Sequence, residues 1–247
     1  MDDYDGYNYK KFQQLAQDRD LSKYEKIGFP DSYREGKEEL IFQDILAKVP
    51  HLERHRGLKV LDIGPGCSDL QAFIAGVCRE NGHRLFVSDS EEMLGLVEDR
   101  PYQAKIPGLF PQTADLIAAE SGGVDVIVCY SVLHYIFVDS NLWYFLDRVM
   151  ELLNGGGQAL IGDIPNHSKR RRFFASPNGI AFHKSFMNTD QPPVVEFNRP
   201  EPGKMDDALL LSMIMRCQAS GCDAYIMPQA EGLPFANRRD DFVIRKP

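Results

Sequence analysis

Nine residues constrain this chain more than any others: Val60-Leu61-Asp62-Ile63-Gly64-Pro65-Gly66-Cys67-Ser68. An apolar run that meets an acid and then breaks into two glycines two residues apart reads as a buried strand turning sharply toward a ligand. Gly64 and Gly66 let the backbone approach a bound molecule with no Cβ in the way. Ser68 and Gln71 have the spacing of a capping box, which predicts that a helix starts there. A nucleotide-like ligand is the expectation that follows.

The rest of the chain supports a core large enough to hold such a turn. Its 247 residues are 43% hydrophobic and 26% charged, the balance of one soluble α/β domain. A net charge of -8 argues against nucleic-acid or anionic-membrane partners, since affinity for phosphate backbones rests on excess Lys and Arg. Cys67, Cys78, Cys129, Cys217 and Cys222 are widely spaced, odd in number and without a C-x-x-C pair, so they read as reduced thiols of a cytoplasmic protein. The polar start, Met1 to Asp5, lacks the features of a secretory signal. Val124 to Val138 carries Asp125, Ser131 and His134 and falls short of a membrane span.

Residues 1 to 56 are expected to form an N-terminal helical cap, with one amphipathic helix from about Gly36 to Val49 stopped by Pro50. The preceding Gly28 to Arg34 is turn-rich, and its aromatic and cationic residues could cover a ligand site. From Lys59 onward strands and helices alternate, the pattern of a mostly parallel sheet covered on both faces. Strands are predicted at Lys59 to Ile63, Arg84 to Ser88, weakly within Pro101 to Pro111, and at Val124 to Cys129, Gln158 to Gly162, Ala224 to Met227 and Asp241 to Arg245. Helices are predicted after Ser68, from Ser90, from Leu142 to the stop at Asn154-Gly155-Gly156-Gly157, and over 206–220. Residues 164–204 show no clear periodicity and read as a mobile lid inserted after strand five.

In an open α/β sheet the ligand crevice lies beyond the carboxyl ends of the strands. That rule selects Asp62 to Ser68, Asp89, Tyr130 to Tyr135 and Asp163 to His167. Asp89 ends the second strand, 23 residues beyond Gly66, where a carboxylate can accept from both hydroxyls of a ribose. Asp69 stands where the dinucleotide fingerprint needs its third glycine, so an NAD(P)-dependent oxidoreductase is the second choice. A non-catalytic binding protein of the same fold is the third.

The run Val60 to Gly66 resembles the first motif of class I S-adenosylmethionine-dependent methyltransferases, whose D-x-G-x-G turn wraps the methionine part of the cofactor. Asp89 is similar to the ribose-binding acid, Val124 to His134 to the fourth-strand motif, and Leu152 to Gly157 to the helix-turn before strand five. The resemblance implies a seven-stranded Rossmann-like sheet over 57–247, with S-adenosylmethionine as cofactor and a last strand lying antiparallel between strands five and six. It implies a cofactor site of Asp62, Gly64, Pro65, Gly66, Ser68, Asp89, Ser90, Tyr130 and Ser131, with Arg34 reaching in from the cap. Where the family often has an acid for the adenine amino group this chain reads Ile106 to Phe110, which leaves Leu109 or Phe110 to pack on the ring.

For methyl transfer to a hydroxyl, a general base helps remove the proton. His134 is the best-placed imidazole, with Asp163 and His167 as alternatives. Tyr135, Arg170, Arg171 and His183 are expected to bind the acceptor. The run Lys169-Arg170-Arg171-Arg172 could clamp a phosphate or carboxylate, which predicts O-methylation of an anionic small molecule such as a sugar or metabolite. No metal site is expected. A homo-oligomer is compatible with the sequence.

Overall fold

The computed structural model describes residues 7–199 and 201–247, so the Met1 to Asp5 segment lies outside the described residues. The cap contains α1 (Tyr9–Gln17), α2 (Lys23–Lys26), α3 (Asp31–Arg34), α4 (Glu38–Lys48) and α5 (His51–Arg54). The predicted helix corresponds to α4, whose Ile41, Phe42, Ile45 and Leu46 are buried together with Val49.

The sheet begins with β1 (Lys59–Ile63), followed by α6 (Asp69–Glu80), β2 (Arg84–Asp89), α7 (Glu91–Leu94) and β3 (Gln103–Pro107). Then come α8 (Ala114–Ser121), β4 (Val124–Tyr130), α9 (Leu133–Asp139), α10 (Leu142–Leu152) and β5 (Leu153–Pro165). The chain continues through α11 (His167–Ala175), α12 (Pro177–Met187), α13 (Asp207–Ala219), β6 (Asp223–Pro228) and β7 (Arg239–Arg245). The strand order is β3-β2-β1-β4-β5-β7-β6. All neighbours are parallel except β7, which runs antiparallel between β5 and β6, as the resemblance implied.

Alternate residues of each strand feed two cores, because successive side chains point to opposite faces. Leu61, Ile63, Phe86, Ile127 and Cys129 pack on one face with α8, α10 and α13. Val60, Leu85, Val87, Val126 and Val128 pack on the other with α4 and α6. Burial on both faces explains why these strands read as continuous apolar runs. The five cysteines are unpaired thiols. No helix among the described residues is long and apolar enough to cross a membrane.

Three expectations are corrected. The Ser68–Gln71 capping box does not form: Ser68 sits at the N-cap position, but its side chain makes no cap bond. The Leu70 N–H instead donates to Glu38 Oε2 at 2.8 Å, so a carboxylate from α4 serves the start of α6. Asn154 to Gly157 does not lie outside the sheet. Leu153 already pairs with Val124, and the register then jumps to Gln158–Val126, so the glycines form a bulge inside β5. Finally, 164–204 is not a structureless lid. It continues β5 to Pro165 and then folds into α11 and α12, which pack on each other.

Candidate cofactor and acceptor site

The order of strands reverses between β1 and β4, and beyond their carboxyl ends lies one deep cavity. Its floor is the turn Gly64-Pro65-Gly66, leading to Ser68. Gly64 has φ 65 and Gly66 φ 62, a region where an L side chain strains against the backbone. A Cβ on Gly64 would stand 2.6 Å from Val132 Cγ2, and one on Gly66 would stand 2.6 Å from Ile27 Cγ2. Glycine is therefore required twice over, by dihedral angle and by space.

One wall comes from the ends of β2 and β3. Asp89 lines the cavity, its Oδ2 accepting from the Gly66 N–H at 3.3 Å and its Oδ1 from the Ser90 N–H at 2.7 Å. Burial raises its carboxyl to about 6 against the pull of those two N–H groups. Met93, Gly108, Leu109 and Phe110 continue this wall, with Phe110 edge-on to Phe145 at 5.5 Å. The opposite wall is Tyr130, Ser131, Val132, Tyr135 and Ile136 from β4 and α9.

The cap supplies the roof. Tyr9 and Phe12 of α1, with Ile27, Phe29 and Arg34, all border the cavity. Phe12 meets Tyr135 edge to face at 4.9 Å, and Gln13 donates to Glu92 at 3.1 Å. Asp69, the residue in place of a third glycine, fastens this roof: Lys23 Nζ lies 2.5 Å and Tyr24 Oη 3.1 Å from its carboxylate. Tyr9 and Phe12 were missed from sequence. The signal was present, since Asn8 caps α1 and Tyr9, Phe12 and Ala16 recur at helical spacing.

Behind the wall lies a buried charged array. Arg34 Nη2 donates to Ser131 Oγ at 2.6 Å and sits 3.5 Å from Asp163 Oδ2. Asp163 Oδ2 also accepts from Ser131 and Arg239, and its Oδ1 from Gln229 at 3.2 Å. The Asp163 N–H donates to Asp241, which in turn pairs with Lys48 at 2.5 Å. Ser131 and Asp163 are both left-handed, with φ 62 and 61, so this junction of β4 and β5 stores strain beside the cavity. The guanidinium of Arg34 lies 4.2 Å over the Phe29 ring, and its Nε has no hydrogen-bond partner among the described residues.

The predicted residues divide accordingly. Gly64, Pro65, Gly66, Ser68, Asp89, Leu109, Phe110, Tyr130, Ser131, Tyr135 and Arg34 converge on the cavity. Asp62 and Ser90 support it from beneath. Asp62 is buried, its Oδ2 without a hydrogen-bond partner among the described residues, and Ser90 caps α7. None of the three proposed acid–base residues lines the cavity. His134 is buried in α9, and burial, then the charge of Arg34, lowers it to about 3, which makes it a weak base. Asp163 is committed to the array, and His167 Nδ1 lies 3.2 Å from Glu201 at the start of α11. Arg170, Arg171 and His183 do come together, but in a separate cleft with Phe174, Val195 and Glu201 that shares no lining residue with the first.

The unpartnered Asp62 yields a pH prediction. Burial first, and the charge of Asp89 second, push its carboxyl from 3.8 to about 8. Between those values the folded, ligand-free protein holds a proton that the unfolded chain has released, so stability falls as pH rises. Asp62→Asn removes that share of the slope. Thermal melts of both proteins across this range should therefore diverge, the variant gaining on the parent as pH increases. Parallel curves would show that Asp62 is not the proton-holding group.

Solved structures similar to this chain include several methyltransferases. The CurJ carbon methyltransferase is 16% identical, with a TM-score of 0.54 over 87% of this chain and 56% of its own. The mitomycin 7-O-methyltransferase MmcR is 14% identical, with a TM-score of 0.52 over 98% of this chain and 62% of its own. The plantazolicin methyltransferase BpumL, solved in complex with SAH, is 12% identical with a TM-score of 0.57 over 96% of both chains. The chain thus spans less than two thirds of the CurJ and MmcR chains. No family model and no curated protein matches the sequence. The fold is that of the class I methyltransferases.

Proposed function

We propose that this chain binds S-adenosylmethionine and transfers its methyl group to a small molecule, with oxygen the expected nucleophile. The observation that carries the reading is the turn Gly64 to Gly66, where a Cβ at either glycine would collide and the backbone lies open to the cavity. The buried, unpartnered Asp62 Oδ2 beneath that turn fits a ligand whose methionine part carries an ammonium and a sulfonium. The comparisons support it through their shared fold, and BpumL was solved with SAH.

The residues would divide the cofactor among them. The turn would hold the methionine part, and the guanidinium of Arg34, which also lines the cavity, would supply positive charge for its carboxylate. Asp89 accepts from the ribose hydroxyls in place of the Gly66 N–H. Met93, Leu109 and Phe110 flank the adenine. Bound S-adenosylmethionine supplies an electrophilic methyl group on a sulfonium. What the chain adds is alignment and exclusion of water, through the roof of Tyr9, Phe12 and Phe29 over the wall of Tyr135.

Titration calorimetry tests this reading directly. S-adenosylmethionine and its demethylated product should each bind one site, and NAD should not. A folded sample that binds neither of the first two would sink the proposal, and preference for NAD would favour an oxidoreductase.

A further inference from the structure

The charge and shape of the acceptor can be read from the part of the cavity that the cofactor leaves over, an inference that rests on the methyl-transfer reading. Once the turn, Asp89 and the adenine wall are assigned, the lining left beside α1 and α9 includes Tyr9, Phe12, Val132, Tyr135, Ile136, Asp139 and Ser140. We infer that the acceptor is a flat, uncharged and predominantly apolar molecule, packed against the touching aromatic rings of α1 and α9.

The first argument is electrostatic. The one cation that lines this cavity among the described residues is Arg34, and it already serves Ser131 and Asp163. Its Nε is buried, with no accessible surface to offer a ligand. With Asp89 given to the cofactor, the charged side chain left to the acceptor is Asp139, so an anionic acceptor would lose its hydration and meet a carboxylate, with only the sulfonium of the donor to offset the cost. A cationic acceptor is disfavoured by the sulfonium charge of the donor at reacting distance. A neutral acceptor escapes both penalties.

The second argument concerns the basic run that pointed to an anion. Its side chains are tethers. Lys169 binds the Arg239 carbonyl at 2.7 Å and Asp240 at 2.6 Å, tying α11 to the start of β7. Arg171 donates to the carbonyls of Phe197 and Arg199 and to Glu201, holding down the 197–201 loop. Arg172 pairs with Asp207 at the start of α13. Arg170 lies over the Phe174 ring at 5.2 Å, in the separate cleft. This run therefore builds the fold of the insertion and offers nothing to an acceptor in the donor cavity.

The third argument is shape. Phe12 and Tyr135 stand edge to face at 4.9 Å, with Tyr9 on the same helix as Phe12, so the compartment has an aromatic wall that favours a planar ring laid against it.

The test uses matched pairs of small aromatic compounds, each a neutral phenol and its phosphorylated or carboxylated counterpart. Their binding to the full chain saturated with the demethylated cofactor is read by calorimetry. The neutral member of at least some pairs should bind about tenfold or more tightly than its anionic partner. Phe12→Ala should weaken that binding by about tenfold, and Phe12→Leu by less, with cofactor affinity changed by less than about threefold. Binding by anionic members only, or by neither member of any pair, would overturn the inference, as would an equal loss of cofactor and acceptor affinity in Phe12→Ala. Loss of cofactor binding by the unmodified chain would instead overturn the methyl-transfer reading.

Discussion

Gly66→Arg should abolish the proposed binding of S-adenosylmethionine. At φ 62 any L residue strains against its own backbone, by about 1–2 kcal/mol. The new Cβ would also stand 2.6 Å from Ile27 Cγ2, so the roof must shift before the rest of the side chain is placed. That remainder projects where the turn borders the cavity and fills the space a ligand needs. The affinity loss should exceed about a hundredfold, or roughly 2.7 kcal/mol, in calorimetric titration, with circular dichroism showing an intact fold. Gly66→Ala should fall between, because the atom it meets is a movable methyl group. Undiminished affinity in the arginine variant would remove this turn from the site.

Asp163→Ala should be the most destabilising single change at the junction of β4 and β5. The carboxylate accepts from Arg34, Arg239, Ser131 and Gln229 in a position sealed from solvent. Removing it leaves two guanidiniums buried with like charge, a loss of about 3–5 kcal/mol. For a chain of this length that corresponds to a drop in melting temperature on the order of 10 °C. Asp163→Asn keeps the hydrogen-bond acceptor and tolerates the left-handed backbone, so it should lose about half as much. Calorimetric melting of the three proteins measures the series. A loss below about 1 kcal/mol for alanine would mean that the array contributes little beyond its own desolvation.

The parts of this fold that were legible are those whose physics is local. Val60 to Ile63, Leu85 to Val87 and Val124 to Cys129 are buried on both faces of a parallel sheet, so their apolar runs could hardly belong to anything else. The glycine turn at the floor of the cavity was legible for a related reason: two glycines and an acid two positions before the first suffice to describe it. Distance in sequence hid the rest. Arg34 and Asp163 meet across 129 residues, and no pattern in either neighbourhood announces the partner. Helix α11 went unseen because cationic tethers hold it where an apolar stripe would have left a period. The bulge in β5 was mistaken for a terminus because Asn154 to Gly157 carries the residues that end helices. The role of α1 escaped notice because Tyr9 and Phe12 spend their apolar surface on the cavity.

The two ends of the roof are fastened very unequally. Arg34 is locked into a buried ionic junction, whereas among the described residues α1 is held by the hydrogen bond from Gln13 to Glu92 and by the apolar packing of Phe12 and Ala16. Such a structure hinges rather than detaches. Lifting α1 opens the aromatic compartment while Arg34, and whatever its side chain grips, stays in place. On the methyl-transfer reading proposed above, that asymmetry predicts an ordered turnover, in which the methylated product leaves by the loose end before the spent donor does.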